Sequence, residues 1–209
     1  MAGRLTGRNI MQLRAERTRR AILKSARKLF AAGGFAGTSV DAIALNAKVN
    51  KQRIYAYFGS KKQLFEAILL EVFSESAARF EEFASGVDSS SGDVTGLLVQ
   101  YYRKLHREKP EFQRLLSWAN LENAIDTTVL AEVRKSENCA LRNWFENAQQ
   151  QNNIRCDISF ESWLLTIMGS TYFVCSNALT LSSTLGGDFM DDAACARRCD
   201  DLVKLFSAT

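Results

Sequence analysis

The stretch TSVDAIALNAKVNKQRIYAYFGSK, residues 38–61, decides the reading of the whole chain. It opens on Thr38-Ser39-Val40-Asp41, where the Thr38 hydroxyl is expected to accept from backbone N–H groups freed at a helix start and Asp41 favours the positive helix end. Val40, Ile43, Ala44 and Ala47 then share one side of a short helix. Lys48-Val49-Asn50 breaks it, and Asn50 is a good cap for a second short helix through Phe58. On that helix Ile54 and Phe58 are four apart and face inward. Gly59-Ser60 ends the pair, and Ser60-Lys-Lys-Gln63 has the form of a capping box for a longer helix. Two short helices with a three-residue break form a helix-turn-helix.

Upstream, Ile22, Ala26, Leu29 and Phe30 make the apolar stripe of a helix beginning near Arg14, with Arg19, Arg20, Lys24, Arg27 and Lys28 on its other face. Gly33-Gly34 should end that helix, because glycine accepts the left-handed conformation of a C-terminal cap. Residues 1–13, with Arg4 and Arg8 among small residues, are expected to be a flexible basic arm. The charge follows this organisation. Residues 1–65 hold fourteen Lys and Arg against Glu16 and Asp41 alone, whereas the remainder carries an acidic excess within a net charge of +4. A basic end on an acidic body points to a polyanionic partner for the first third only.

That partner can be specified as double-stranded DNA. A recognition helix sets its N-terminal residues against base edges in the major groove while neighbours hold phosphates. The N-terminal turn here is Lys51-Gln52-Arg53; arginine and lysine suit guanine, and glutamine suits adenine. Tyr55 and Tyr57 bring hydroxyls within reach of phosphate oxygens, and Lys61 begins a helix whose free N–H groups also attract phosphate.

At Gly34-Phe35, Thr38-Ser39-Val40, Ile43-Ala44, Val49, Tyr55, Tyr57-Phe58, Ser60-Lys61 and Leu64 the sequence resembles the DNA-binding domain of the tetracycline-repressor (TetR) family, over about residues 17–69. The resemblance implies an all-α homodimer that binds a two-half-site operator, with an inducer site in its C-terminal domain. It implies phosphate contacts at Thr38, Tyr57 and Lys61, and it places Ser39 and Lys48 at the same surface. It also implies dimerisation through the last two long helices, about residues 159–181 and 191–206. Three positions depart from the family pattern. Lys48 stands where glycine is usual and would cost roughly 1 kcal/mol in a left-handed conformation. Gln52 and Arg53 are larger than the usual small residues, and Ala56 replaces an aromatic residue or histidine.

The resulting organisation is an arm (1–13), a helix-turn-helix domain (14–62) and a larger helical ligand-binding and dimerisation domain (63–209), with a connector helix over 63–84. Ser85 to Gly96 reads as a mobile loop. Helices are then expected over 94–107, from Pro110 through Ala119, and over 127–151, 159–181 and 191–206, with Pro110 suited to a first turn. Among the aromatics of this part, Trp118, Trp144 and Tyr172 are candidate residues for a pocket that would hold an unknown small molecule.

Other classes are poorly served. Residues 162–187 carry no charge, but Thr166, Ser170, Thr171, Ser176, Asn177 and Thr180 interrupt the apolar run, so a helix buried in a core or an interface is expected and no membrane span. Five cysteines, all in the second half and with no secretory segment after Met1, suit reduced thiols in the cytoplasm. One histidine and no Cys-x-x-Cys give no metal site, and no cofactor motif is present. His106, flanked by Arg107, Glu108 and Lys109, is expected at an exposed helix end and offers no enzyme site. A ligand-responsive repressor and an architectural DNA binder without ligand control both remain compatible with these residues.

Overall fold

A computed structural model describes residues 7–87, 93–123 and 128–208. These form eleven helices and no strand: α1 Gly7–Gly37, α2 Val40–Ala47, α3 Lys51–Phe58, α4 Lys61–Ser85, α5 Val94–Glu108, α6 Pro110–Leu121, α7 Thr128–Val133, α8 Lys135–Gln150, α9 Phe160–Ser176, α10 Ala178–Leu185 and α11 Asp192–Phe206. The all-α class expected from the sequence is the class observed. Two compact units divide the chain, one of Met1–Ser74 with Arg114–Leu130 and the other of Glu75–Gln113 with Ala131–Thr209. The division falls inside α4, α6 and α7.

In the first unit, Phe30 and Phe65 meet edge to face with centroids 4.9 Å apart, among the fully buried Ile22, Ile43, Ile54, Leu64 and Ile68. The buried Ser25 hydroxyl donates to Ile43 O at 3.1 Å and ties α1 to α2. Helix α1 departs from expectation at both ends. It begins at Gly7, so residues 7–13 of the expected arm are helical, while residues 1–6 lie outside the described residues. It also resumes after Gly34, whose φ of 72° and ψ of 179° interrupt the winding. Glycine is required there twice over: φ is left-handed, and a Cβ would stand 2.6 Å from Glu122 Oε1 and 2.8 Å from the Trp118 ring. Glu122 completes this turn by accepting from Ala36 N at 3.0 Å.

The second unit is built on Trp163, which is fully buried between Phe145 and Phe160 and donates Nε1 to Thr95 Oγ1 at 3.0 Å. Leu98, Tyr102, Leu141 and Ile167 extend this core across α5, α8 and α9. Asp93 caps α5 by accepting from Gly96 N at 2.8 Å, so Gly96 belongs to the helix and not to the preceding loop; residues 88–92 of that loop lie outside the described residues.

Two helices expected to be continuous are broken. The expected helix over 127–151 divides at Arg134 (φ −96°, ψ 1°) into α7 and α8; residue 127 lies outside the described residues. There Arg134 Nη2 sits 3.4 Å from Glu137 Oε1, and Tyr102 donates its hydroxyl to the same oxygen at 3.0 Å. A carboxylate as buried as that of Glu137 is tolerated only with such partners. The helix expected over 159–181 ends at Asn177, and α10 leaves α9 at 86°. Thr171 and Asn177 turn their side chains back onto the Ile167 and Phe173 carbonyls, a local bonding that competes with regular winding. Among the described residues no single helix is long and apolar enough to cross a membrane.

His106 also departs from expectation, being buried with its ring stacked on Tyr102 at 6.2 Å and its Nδ1 without a partner. It lies four residues after Tyr102, on the apolar face of α5. Burial pushes its pKa down from 6.5 to about 4. Between these values the unfolded chain binds more protons than the folded one, so stability falls as the pH drops through that window. A loss of about 2–3 kcal/mol is expected by pH 4 from this residue, relative to pH 7. Urea unfolding at both pH values checks it: His106→Phe should reduce the pH dependence by that amount, and equal losses in both proteins would refute it.

Candidate nucleic-acid interface

The exposed face of the first unit is assembled from α2, α3 and the start of α4. Ser39, not Thr38, caps α2, its Oγ accepting from Ala42 N at 3.0 Å. Thr38 is buried, and its hydroxyl donates to Leu29 O at 3.0 Å. The Thr38 hydroxyl therefore braces the α1–α2 turn and is not presented to solvent, which corrects the expectation that it is the cap. Helix α2 buries Val40, Ile43 and Ala44 as the spacing required.

Lys48 ends α2 in the left-handed conformation (φ 55°, ψ 43°), and its backbone N–H reaches the Ala44 and Leu45 carbonyls. The strain expected at this position is thus present, offset by the carbonyls it satisfies. Asn50 then caps α3, accepting from Arg53 N at 2.9 Å. Ile54 and Phe58 point inward, leaving Lys51, Gln52, Arg53, Tyr55 and Tyr57 exposed. Ser60 caps α4 by accepting from Gln63 N at 3.1 Å.

Three contacts at this face escaped the sequence reading. Lys51 Nζ pairs with Asp41 Oδ2 at 2.9 Å, joining the first turn of α3 to that of α2. The hydrogen bond to Asp41 pushes the Lys51 pKa up, so the ammonium stays charged. Lys61 Nζ stands 4.4 Å above the Phe35 ring, and the Arg19 guanidinium lies 5.4 Å from the Phe58 ring. Both are cation–π distances that restrict long side chains. The Lys51–Asp41 pair spans ten residues across a turn, a separation that helix periodicity does not flag.

The three aromatic pocket candidates are not brought together. Trp118 belongs to the first unit, at the Gly34 turn. Trp144 is core in the second unit, 5.6 Å from Phe80, and Tyr172 meets His106 at 5.8 Å. The second unit does hold a cavity of about 240 Å³, bounded by α5, α9 and α11, and none of these three residues lines it. Its walls include Arg103, Arg107, Arg198 and the thiols of Cys175, Cys195 and Cys199. Burial pushes the Cys175 and Cys199 thiols up, which keeps them protonated. In the sequence, the available signal was Arg103 and Arg107 one turn apart beside an apolar stripe.

Residues 22–68 match the family described as Bacterial regulatory proteins, tetR family, and residues 96–205 match the Tetracyclin repressor-like, C-terminal domain. Over 206 residues the chain is 33% identical to the HTH-type transcriptional repressor NicS of Pseudomonas putida, covering 93% of this chain and 92% of that protein. Among solved structures, a TetR family transcription regulator from Marinobacter aquaeolei gives a TM-score of 0.74 at 18% identity, covering 95% of this chain and 100% of that one. The transcriptional regulator FadR from Bacillus subtilis, in complex with stearoyl-CoA, gives 0.65 at 18% identity, over 89% and 96% of the two chains. Matched over both its helix-turn-helix and the greater part of the remaining chain, the protein belongs to the TetR family and is a DNA-binding transcriptional regulator.

Proposed function

We propose that the protein is a repressor that binds a two-half-site operator as a homodimer and leaves it when a small molecule occupies the second unit. The observation that carries the DNA-reading half is the exposed Lys51-Gln52-Arg53 turn on a helix fixed by Ile54 and Phe58. Arg53 and Gln52 read base edges, with Lys51 joining them on exchange of Asp41 for DNA. Ser39, Lys48, Tyr55, Tyr57 and Lys61 hold the phosphate backbone, and Thr38 supports the turn that presents Ser39.

Dimerisation through α9 and α11 is supported by large apolar side chains left exposed on them, Leu165 and Phe173 on α9 and Leu205 on α11. Ligand control is supported by the cavity in the second unit, by the repressor name of the relative in Pseudomonas putida, and by the acyl-CoA held in the FadR structure. An inducer acts by binding more tightly to a dimer whose two reading heads no longer match the operator spacing.

Two substitutions test the division of labour. Arg53→Ala should weaken operator binding by about 1–3 kcal/mol and relax preference at one base pair of each half-site. Lys61→Ala should weaken all sequences alike and reduce the salt slope by about one. Equal losses for Arg53→Ala on operator and on random duplex would contradict base reading by this residue.

A further inference from the structure

We infer that the cavity between α5, α9 and α11 takes a small carboxylate with an apolar body, whose charge is received by Arg107 in competition with Asp192. The inference rests on the reading of the second unit as a ligand receptor and specifies its ligand class.

The walls are largely apolar, with Val99 on α5, Val174 on α9 and Met190 ahead of α11. Three guanidiniums reach this space, those of Arg103 and Arg107 from α5 and that of Arg198 from α11, against the single lining carboxylate of Asp201. Asp201 is itself exposed and lies 3.4 Å from Lys204 Nζ. Arg198 has neutral partners: its Nη2 donates to Phe189 O at 2.6 Å and to Cys195 Sγ at 3.1 Å. An apolar chamber with a surplus of guanidiniums selects a ligand that is hydrophobic over most of its surface and anionic at one end.

Size narrows the class. At about 240 Å³ the space exceeds an apolar cavity of roughly 150 Å³ that holds one benzene ring, and it is too small for a long acyl chain. A one-ring or short-chain acid fits.

The carboxylate now paired with Arg107 is that of Asp192 in the first turn of α11, 2.8 Å away, with Arg103 3.5 Å from the same oxygen. Asp192 is 73% and Arg107 53% exposed, so their pair is screened by water and is exchanged at low cost, whereas a carboxylate in the cavity keeps the guanidinium as its partner while its apolar body leaves water. Exchange of partners loosens the start of α11, leaving Arg103 as its remaining ion pair to α5 through Asp192. Because α11 is one of the two helices proposed for the dimer interface, occupancy is coupled to the spacing of the reading heads.

Calorimetric titration of the full chain with benzoate and hexanoate, against benzamide and hexanol, tests the inference. The acids should bind and the uncharged analogues should bind at least tenfold more weakly. Arg107→Gln should weaken the acids about tenfold or more, and Asp192→Asn, which removes the competitor while keeping Arg107, should tighten them several-fold. Equal binding of acids and uncharged analogues, no binding of the acids, or insensitivity to both substitutions would overturn the assignment. Operator affinity measured alongside separates the two readings. Release by an uncharged compound, with the acids inert, overturns the ligand class and leaves ligand control standing. Acids that bind as described without changing operator affinity support the site and remove its role in control.

Discussion

Trp163→Ala is expected to lower the unfolding free energy by about 3–5 kcal/mol, the range for removing a fully buried tryptophan. The side chain has no exposed surface and meets Phe145 at 5.3 Å and Phe160 at 6.1 Å, two rings on different helices that cannot both move into the space it leaves. Its loss also strands the Thr95 hydroxyl, which is 4% exposed and receives Trp163 Nε1 at 3.0 Å. That unmet group adds about 1–3 kcal/mol in its own right. Trp163→Phe separates the two effects, since it keeps most of the ring volume and loses only the hydrogen bond. Urea unfolding by circular dichroism, with all proteins at one fixed concentration so that any self-association enters equally, checks both variants. A loss below about 1 kcal/mol for Trp163→Ala would show that the core is not organised around this residue.

Ile54→Ala is expected to abolish operator binding while changing little of the total helix signal. Helix α3 has eight residues, too few to persist without packing, and only Ile54 and Phe58 attach it to the core of the first unit. Truncating a fully buried isoleucine costs about 2–5 kcal/mol, more than a short surface helix has in reserve. Arg53→Ala, one residue away and exposed, should alter affinity and leave α3 intact. Amide hydrogen exchange distinguishes them: protection across α3 should collapse in Ile54→Ala and persist in Arg53→Ala. Protection and binding close to those of the unaltered protein would contradict the role given to Ile54.

The α2–α3 face was legible because its signals are local. Asn50, Lys48, Ser60 and the pair Ile54 and Phe58 each act within one turn of their own position, and each stands as the spacing required. The exchange of roles between Thr38 and Ser39 was not legible, since both are hydroxyls at adjacent positions and only the approach of Leu29 O decides between them. The breaks at Arg134 and Asn177 carry neither glycine nor proline; they come from a buried carboxylate in one case and from side chains bonding back to the helix in the other. His106 was misread through its charged neighbours, although its distance of four from Tyr102 put it on the apolar face of α5. The cavity was marked in the sequence only by Arg103 and Arg107, one turn apart on α5. Aromatic type suggested Trp118, Trp144 and Tyr172, whereas three separate helices converge to set arginines and thiols around it. Local chemistry thus specified the exposed α2–α3 face, and tertiary packing specified the cavity.

Sequence-specific recognition through the α3 face can be checked by a single comparison of affinities. Fragments bound from the source genome would be selected, and the affinity for the enriched duplex compared with that for a scrambled duplex of equal length at one salt concentration. A preference of roughly 10³ or more for the enriched sequence is expected, since specific binders exceed their nonspecific affinity by at least that order. Equal affinity for the two duplexes, with no motif enriched, would contradict it and favour a protein that coats DNA through charge alone.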